Sequence, residues 1–403
     1  MSKPLIDRLC CRSGWSGQLR RVLATVFVVI CVQRLNSCLV ARISRKPFLT
    51  CLSFVLVALL LMPAEVVFAS EANVFVYHRF NDSRYPSTNI TTEAFKDHLE
   101  TLKVEHFTVL TLGEVVDRMR AGESLPQRCA VISVDDGYLS FLTDGWPLLK
   151  QYGYPATLFV STDTVGGSDF LDWQDLLMLQ NEGVEIGNHS ASHAYLLDRI
   201  PSENESEWRA RVAEDLGRSQ GLFKKHISTS PRLFAYPYGE FSKELTGLIR
   251  EAGFVAAFGQ QSGVITDGQD MHTLPRFPVG GAYSAVSEFR SRLFMKSLPV
   301  QLEAHQDTVI NKENPPTLKF YLNNKIVDER TLKCFVQGGA GCLLEKERGE
   351  DRAYSVKALQ PLVGRRSKYT VTASDTSGQV WYWYSQLWVL PRSRGVTDQP
   401  APR

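Results

Sequence analysis

Three short segments combine residue types and spacings that could do chemistry. Ser133-Val134-Asp135-Asp136-Gly137-Tyr138 places two adjacent carboxylates after an apolar run, Cys129 to Val134. Neighbouring side chains on a strand point to opposite faces. Two Asp at a strand end can therefore take two roles, one as metal ligand and one as general base. Taken alone, a solvated Asp-Asp-Gly turn is the simpler reading. Gly187-Asn188-His189-Ser190-Ala191-Ser192-His193 follows a second apolar run. Two His four apart on one helical turn face the same way and can share a metal, although solvated helix faces carry such pairs by chance. A His pair with one carboxylate leaves positions open for water and substrate, and zinc lowers the pKa of a water it holds to about 7. Leu233-Phe234-Ala235-Tyr236-Pro237-Tyr238-Gly239 ends a third run. Its Pro and Gly fix a turn that can aim a backbone N–H at a developing oxyanion. A plain strand-to-helix turn fits equally well.

The elements that must position these segments are legible. From Val74 onward short apolar runs (74–77, 107–110, 130–134, 156–160, 184–187, 233–236 and 255–258) alternate with amphipathic stretches (92–104, 112–121, 140–152, 173–182, 205–225 and 241–252). Thr91 or Thr92 can cap the first helix, and Ser242 the last. Continuous apolar strands separated by helices imply a parallel sheet covered by helices. About seven such units suit an α/β barrel better than an open sheet, and barrels place their sites at the C-terminal strand ends. After residue 295 the pattern changes. Pro299, Pro315 and Pro316 interrupt it, and alternating strands follow at 318–322, 333–336, 368–373 and 380–389. This reads as an immunoglobulin-like β-sandwich. The expected organisation is a leader at 1–69, a barrel domain at 70–297, a β-sandwich at 298–392 and a disordered tail at 393–403. No metal-type cluster occurs past the barrel, so the chemistry is expected within 70–297.

Composition narrows the function. The chain is 44% hydrophobic and 22% charged, the balance of a globular protein. Its net charge of +2 hides an asymmetry: residues 1–69 hold nine basic and two acidic residues, and the remainder 36 basic and 41 acidic. An acidic body lacks the basic footprint of a nucleic-acid binder. In the leader, Arg42, Arg45 and Lys46 precede an apolar stretch from Phe48 to Met62, then Val67-Phe68-Ala69. That is the form of a secretory signal, or of an uncleaved anchor that would tie the protein to a membrane. The expected location is periplasmic or secreted, with membrane anchoring if the segment stays uncleaved.

Five of the eight cysteines lie in the leader. Cys334 and Cys342 bracket a glycine-rich hairpin turn, and a disulfide across it is expected in an oxidising compartment. Cys129 reads as an inert buried residue. His98, His106, His226 and His305 read as surface or packing residues, and His272 as a loop residue near Arg276. Of the aromatic run Trp381-Tyr382-Trp383-Tyr384, one face must be core, and sugar stacking by the other is a second option.

Together and in this order, Asp135-Asp136-Gly137, His189-Ser190-Ala191-Ser192-His193 and Pro237-Tyr238-Gly239 resemble the signature of the NodB-type polysaccharide deacetylases, carbohydrate esterase family 4. The resemblance covers about residues 74–290, which that family folds as a distorted (β/α) barrel. It implies that Asp136, His189 and His193 bind a divalent metal and that Asp135 is the general base. The Tyr238 backbone N–H would help to hold the oxyanion. Zinc is the default metal, and cobalt, nickel or iron also suits such a donor set. Many members carry Arg at the position of Ala235, where it buttresses the catalytic Asp. Arg276 is the candidate substitute, and Arg232 a weaker one. The usual late Leu-x-x-His strand is not evident near residue 290. Instead Val74-Phe75-Val76-Tyr77-His78 opens the body, as in the branch acting on poly-N-acetylglucosamine, which would make His78 the general acid. The implied function is removal of N-acetyl groups from an extracytoplasmic amino-sugar polysaccharide. Two rivals remain: a non-catalytic polysaccharide-binding protein on a degenerate barrel, motivated by the missing Arg, and a two-His, one-carboxylate iron oxygenase. In the oxygenase the carboxylate normally lies two residues after the first His, where this chain has Ala191.

Overall fold

The computed structural model describes residues 70–303, 306–311, 313–339 and 341–391. The leader with its signal or anchor and five cysteines, His305 and the 393–403 tail lie outside the described residues.

The apolar runs become the strands of one curled sheet. β1 (Glu71–Tyr77), β2 (Cys129–Val134), β3 (Thr157–Val160), β4 (Glu185–Asn188), β5 (Leu233–Ala235) and β6 (Ala256–Phe258) pair in that order, all in parallel. Beyond β6 the chain returns to β1. Leu274 bridges to Phe258, and β7 (Phe277–Pro278) pairs with Phe75 and Val76. The sheet is thus brought round on itself as a distorted (β/α) barrel. A two-residue strand containing a proline shows no periodicity, which is why the sequence pattern missed β7.

Period-two alternation divides the strand side chains between two cores. Ala72, Val74, Val131, Phe159, Leu233, Ala235, Ala256 and Phe258 share the core that the curled sheet encloses. Phe75, Tyr77, Ile132, Val134, Leu158 and Val160 pack outward with helix residues such as Phe95, Leu99 and Leu102. Those three lie on α1 (Thr92–Val104), where Thr91 accepts the Ala94 N–H as N-cap. α2 (Leu112–Ala121) carries a full capping box between Thr111 and Glu114. The helix expected over 140–152 opens with a wider π turn at Phe141–Gly145, before α3 (Trp146–Tyr152). Pro147 has no N–H to give to the regular ladder there. α4 (Trp173–Asn181), α5 (Glu205–Ile227), α6 (Lys243–Glu251) and α7 (Val286–Leu293) complete the layer, with Ser242 capping α6.

Past residue 295 two four-stranded sheets enclose a separate core. One runs β8 (Lys296–Ser297), β15 (Trp381–Val389), β14 (Arg366–Ser374) and β11 (Lys333–Val336). The other runs β9 (Val300–Leu302), β10 (Thr317–Leu322), β13 (Ala353–Ala358) and β12 (Cys342–Lys346). Leu318, Phe320 and Val356 from one sheet meet Tyr369, Val371 and Trp388 from the other, so the arrangement is a β-sandwich. β15 serves both parts of the molecule. Tyr382 and Trp388 face the sandwich core, while Leu387 and Val389 pack with Phe241 and Tyr236 of the barrel. Trp383 meets Phe277 of β7 at 5.8 Å. Of the aromatic run only Trp381 is exposed, so packing occupies most of the strip proposed for sugar stacking.

Cys334 and Cys342 form a disulfide. The expected hairpin is absent: β11 pairs with β14 and β12 with β13, so the glycine-rich turn carries the chain from one sheet to the other and the disulfide ties the two sheets together. Replacing both cysteines by serine is expected to cost about 2–3 kcal/mol of stability, the value for closing so short a loop. Denaturant unfolding checks the cost, and metal content is expected to stay unchanged. Cys129 is buried, and burial pushes its thiol up to about 12, so it stays a thiol.

Candidate active site

The three sequence segments converge because each ends a neighbouring parallel strand. Asp135 is still held in the ladder, its N–H donating to Tyr77 O at 2.9 Å. Asp136 then turns into the left-handed region, φ 77°. Its Oδ1 lies 3.3 Å from His189 Nε2 and 3.0 Å from His193 Nε2. One ligand atom from each of the three falls within 4.8 Å of the others.

The His189–His193 segment is a loop, not the helical turn expected from its spacing. Side chains accept its N–H groups in place of helical carbonyls. Asn188 Oδ1 accepts Ser190 N–H, the two oxygens of Asp215 accept Ala191 and Ser192 N–H, and Ser190 Oγ accepts His193 N–H. Ser190 and His193 both have positive φ, 68° and 52°. Tyr238 does too, at 60°, so the site holds several non-glycine residues in a costly conformation. Asp215 on α5 was missed in the sequence, because nothing in an amphipathic helix marks one surface carboxylate as the support of a distant loop.

The donor set fits a divalent cation. His189 Nδ1 donates to Ala235 O at 2.7 Å, which leaves the Nε2 lone pair facing Asp136. Asp136 Oδ1 and His189 Nε2 are buried and face each other at 3.3 Å, both turned to the space that a cation would take. The local field also favours a cation. Burial raises the Asp136 carboxyl, but the facing His193 and His189 lower it by more and hold it well below the ordinary value. Burial lowers the His189 imidazole, but Asp136 and the charge of Asp135 raise it by more.

Asp135 and Arg276 are fully buried together. Arg276 Nη1 and Nη2 donate to the two Asp135 oxygens at 2.7 and 2.8 Å, and Arg276 Nε donates to Gly259 O. Burial raises the Asp135 carboxyl, but the charges of Arg276 and His189 lower it by more, so it is ionised at neutral pH. Arg276 reaches Asp135 from the closing segment beside β7. Arg232 instead pairs with Asp117. His272 bonds Phe254 O and Arg250, so it is not among the converging groups. His98 packs, stacked on Phe289 at 4.1 Å and bonded to Tyr77 and Ser284 O.

His78 directly follows β1, next to this pair. Gln260 Nε2 lies 3.5 Å from His78 Nε2 and 3.4 Å from Asp135 Oδ2, linking the two. Gln260 was not anticipated, although the strand-end rule applied to 255–258 points to it. Its backbone lies against Gly239, where a Cβ would come within 2.5 Å of Gln260 N, so the last residue of Pro237-Tyr238-Gly239 has to be glycine. The Tyr238 ring contacts His193 edge-on at 4.6 Å and stacks on Tyr195 at 3.9 Å.

Residues 122–257 match the sequence profile of the family described as polysaccharide deacetylase. The putative polysaccharide deacetylase YxkH of Bacillus subtilis is 24% identical over 220 residues, 53% of this chain and 75% of that protein. The poly-beta-1,6-N-acetyl-D-glucosamine N-deacetylase of Staphylococcus aureus is 25% identical over 217 residues, 52% of this chain and 73% of that protein. In fold, the chain is similar to the solved structure of IcaB from Ammonifex degensii. The TM-score is 0.50 at 24% identity, covering 56% of this chain and 97% of that one. The barrel, its three convergent segments and these similarities together show that the chain carries a polysaccharide deacetylase domain.

Proposed function

We propose that this protein is a metal-dependent N-deacetylase of an extracytoplasmic amino-sugar polysaccharide, with poly-N-acetylglucosamine as first choice of substrate. The observation that carries the reading is the convergence of Asp136, His189 and His193 beside the Arg276-bound Asp135. A divalent metal, zinc by default, held by those three residues would supply Lewis-acid activation of water and of the acetamide carbonyl. The chain's own groups do the rest. Asp135, ionised and aimed by Arg276, keeps lone pairs for a proton from the attacking water. The Tyr238 backbone N–H donates to the oxyanion. His78 gives its proton to the departing amine nitrogen, so water and the N-acetyl group become acetate and a free glucosamine unit. Catalysis is assigned to 70–297 and the sandwich to 298–392.

The choice of polymer rests on the Staphylococcus aureus relative and on His78 standing directly after the first strand. The extracytoplasmic location rests on the leader and on the Cys334–Cys342 disulfide, which persists in oxidising compartments. No helix among the described residues is long and apolar enough to cross a membrane, so an anchor would reside in the leader. The binding-protein rival was motivated by a missing arginine, and the pairing of Arg276 with Asp135 weighs against it. Acetate release across β-1,6-linked glucosamine oligomers, chitin oligomers and peptidoglycan fragments tests the reading. Release from the β-1,6 oligomers first is expected, and no release from any of them would end it.

His78→Ala is expected to keep the metal and to lose amide hydrolysis by about 10²–10⁴-fold, the usual contribution of a general acid. An acetate ester with a good leaving group needs little protonation and is expected to lose far less. Equal losses on both substrates, measured as kcat/KM, would make His78 structural.

A further inference from the structure

Two arginines of the β-sandwich reach the barrel where its active-site loops meet. Arg365 precedes β14. Its Nε and Nη2 donate to the two Glu240 oxygens, each at 2.7 Å, and its Nη1 donates to Asp198 Oδ1 at 2.6 Å. Both carboxylates are buried, and they belong to different loops. Asp198 lies in the loop that begins at the metal-site histidines, and Glu240 directly follows Pro237-Tyr238-Gly239. One planar guanidinium therefore clamps the two loops together. The same guanidinium lies 3.9 Å from the Tyr195 ring centre, Tyr195 stacks on Tyr238 at 3.9 Å, and Tyr238 abuts His193 at 4.6 Å. A continuous chain of ring contacts thus runs from the sandwich to a metal-site imidazole. Next in sequence, Arg366 Nη1 donates to Tyr238 O at 2.7 Å, on a residue whose backbone is in the left-handed region.

We propose that the β-sandwich completes the deacetylase site, with Arg365 and Arg366 as positioning residues. They hold the Tyr238 turn and the His193 loop in register. This rests on the deacetylase reading and adds a second part of the chain to its active site. Sandwich packing on the barrel would by itself require only the apolar contacts of Leu387, Val389 and Trp383. It would not require a fork bonded to both loops, nor a donor on the Tyr238 carbonyl.

The test uses the full chain, with a short soluble N-acetylglucosamine oligomer and Zn²⁺ as probes. Arg366 is exposed, and Glu240, 3.6 Å from its Nε, keeps both bonds to Arg365 when Arg366 is replaced, so the fold is expected to stay intact. Arg366→Met is expected to lower kcat about tenfold, within the range for residues that orient metal ligands. KM and the melting midpoint are expected to change little. Arg366→Lys, which can still donate to the Tyr238 carbonyl, is expected to recover most of the loss. Arg365→Met is expected to weaken Zn²⁺ affinity, read by chelator competition, by about 10–100-fold. Because it also takes a guanidinium away from two buried carboxylates, the triple variant Arg365→Met, Glu240→Gln, Asp198→Asn is included, and it is expected to regain the melting midpoint without regaining Zn²⁺ affinity. Wild-type kcat in Arg366→Met together with wild-type Zn²⁺ affinity in the triple variant would overturn the proposal. So would losses that simply follow the melting midpoint. If the wild type releases no acetate while the Zn²⁺ affinities change as stated, the positioning role stands and the deacetylase reading falls.

Discussion

Replacing His189 by alanine is expected to give a folded protein that retains no stoichiometric metal and releases no acetate. The imidazole is 1% exposed, Nε2 faces Asp136, and Nδ1 is committed to Ala235 O. Among the described residues no other His, Cys, Asp or Glu joins the cluster of Asp136, His189 and His193. The structural cost is limited. One buried carbonyl loses its partner, at about 1–3 kcal/mol, against a typical stability of about 5–15 kcal/mol. Circular dichroism is therefore expected to show an intact fold while elemental analysis shows the metal gone. Asp136→Ala and His193→Ala are expected to behave alike, because each removes one of three ligands. Stoichiometric metal in all three variants would refute the assignment.

Asp135→Asn is expected to separate metal binding from turnover. The metal stays, since Asp135 is not among the three convergent donors, and the rate falls by about 10²–10⁴-fold with the loss of the base. Arg276→Met acts on the same pair from the other side. It leaves a fully buried carboxylate without its bidentate partner, and breaking such a pair costs about 3–5 kcal/mol. Denaturant unfolding is expected to register that loss, and activity is expected to fall as Asp135 loses its aim. Near-normal turnover in Asp135→Asn would remove it from the mechanism. Unchanged stability in Arg276→Met would show that the pair is not what holds the carboxylate.

The residues that reveal themselves in the sequence are those that end regular elements. Asp135, His189 and Pro237 each follow a short apolar run, so the strand-end rule locates them before any contact is known. Thr91, Thr111 and Ser242 mark helix starts through their side-chain oxygens. What stays hidden is what irregular backbone and distant chain supply. The His189–His193 spacing suggests a helical turn, yet Ser190 and His193 adopt positive φ and the loop is held by Asn188 and Asp215. Arg276 could be named as a substitute for the arginine absent at Ala235. Its strand could not be seen, because two residues and a proline carry no period. His78 and Arg276 also lie outside the family match at 122–257, so their places in the site rest on the barrel's closure and not on that match. The sandwich arginines were the least legible, since only folding brings residue 365 beside residues 198 and 240.

The Asp136, His189 and His193 cluster is proposed to hold a metal that this chain uses to remove acetyl groups. Acetate release from a β-1,6-linked N-acetylglucosamine oligomer, measured before chelation, after chelation and after returning one equivalent of Zn²⁺, tests it most directly. Activity that disappears with the metal and returns at one equivalent is the expected result. Release that continues in metal-free protein, or that fails to return although the metal rebinds at one per chain, would contradict it.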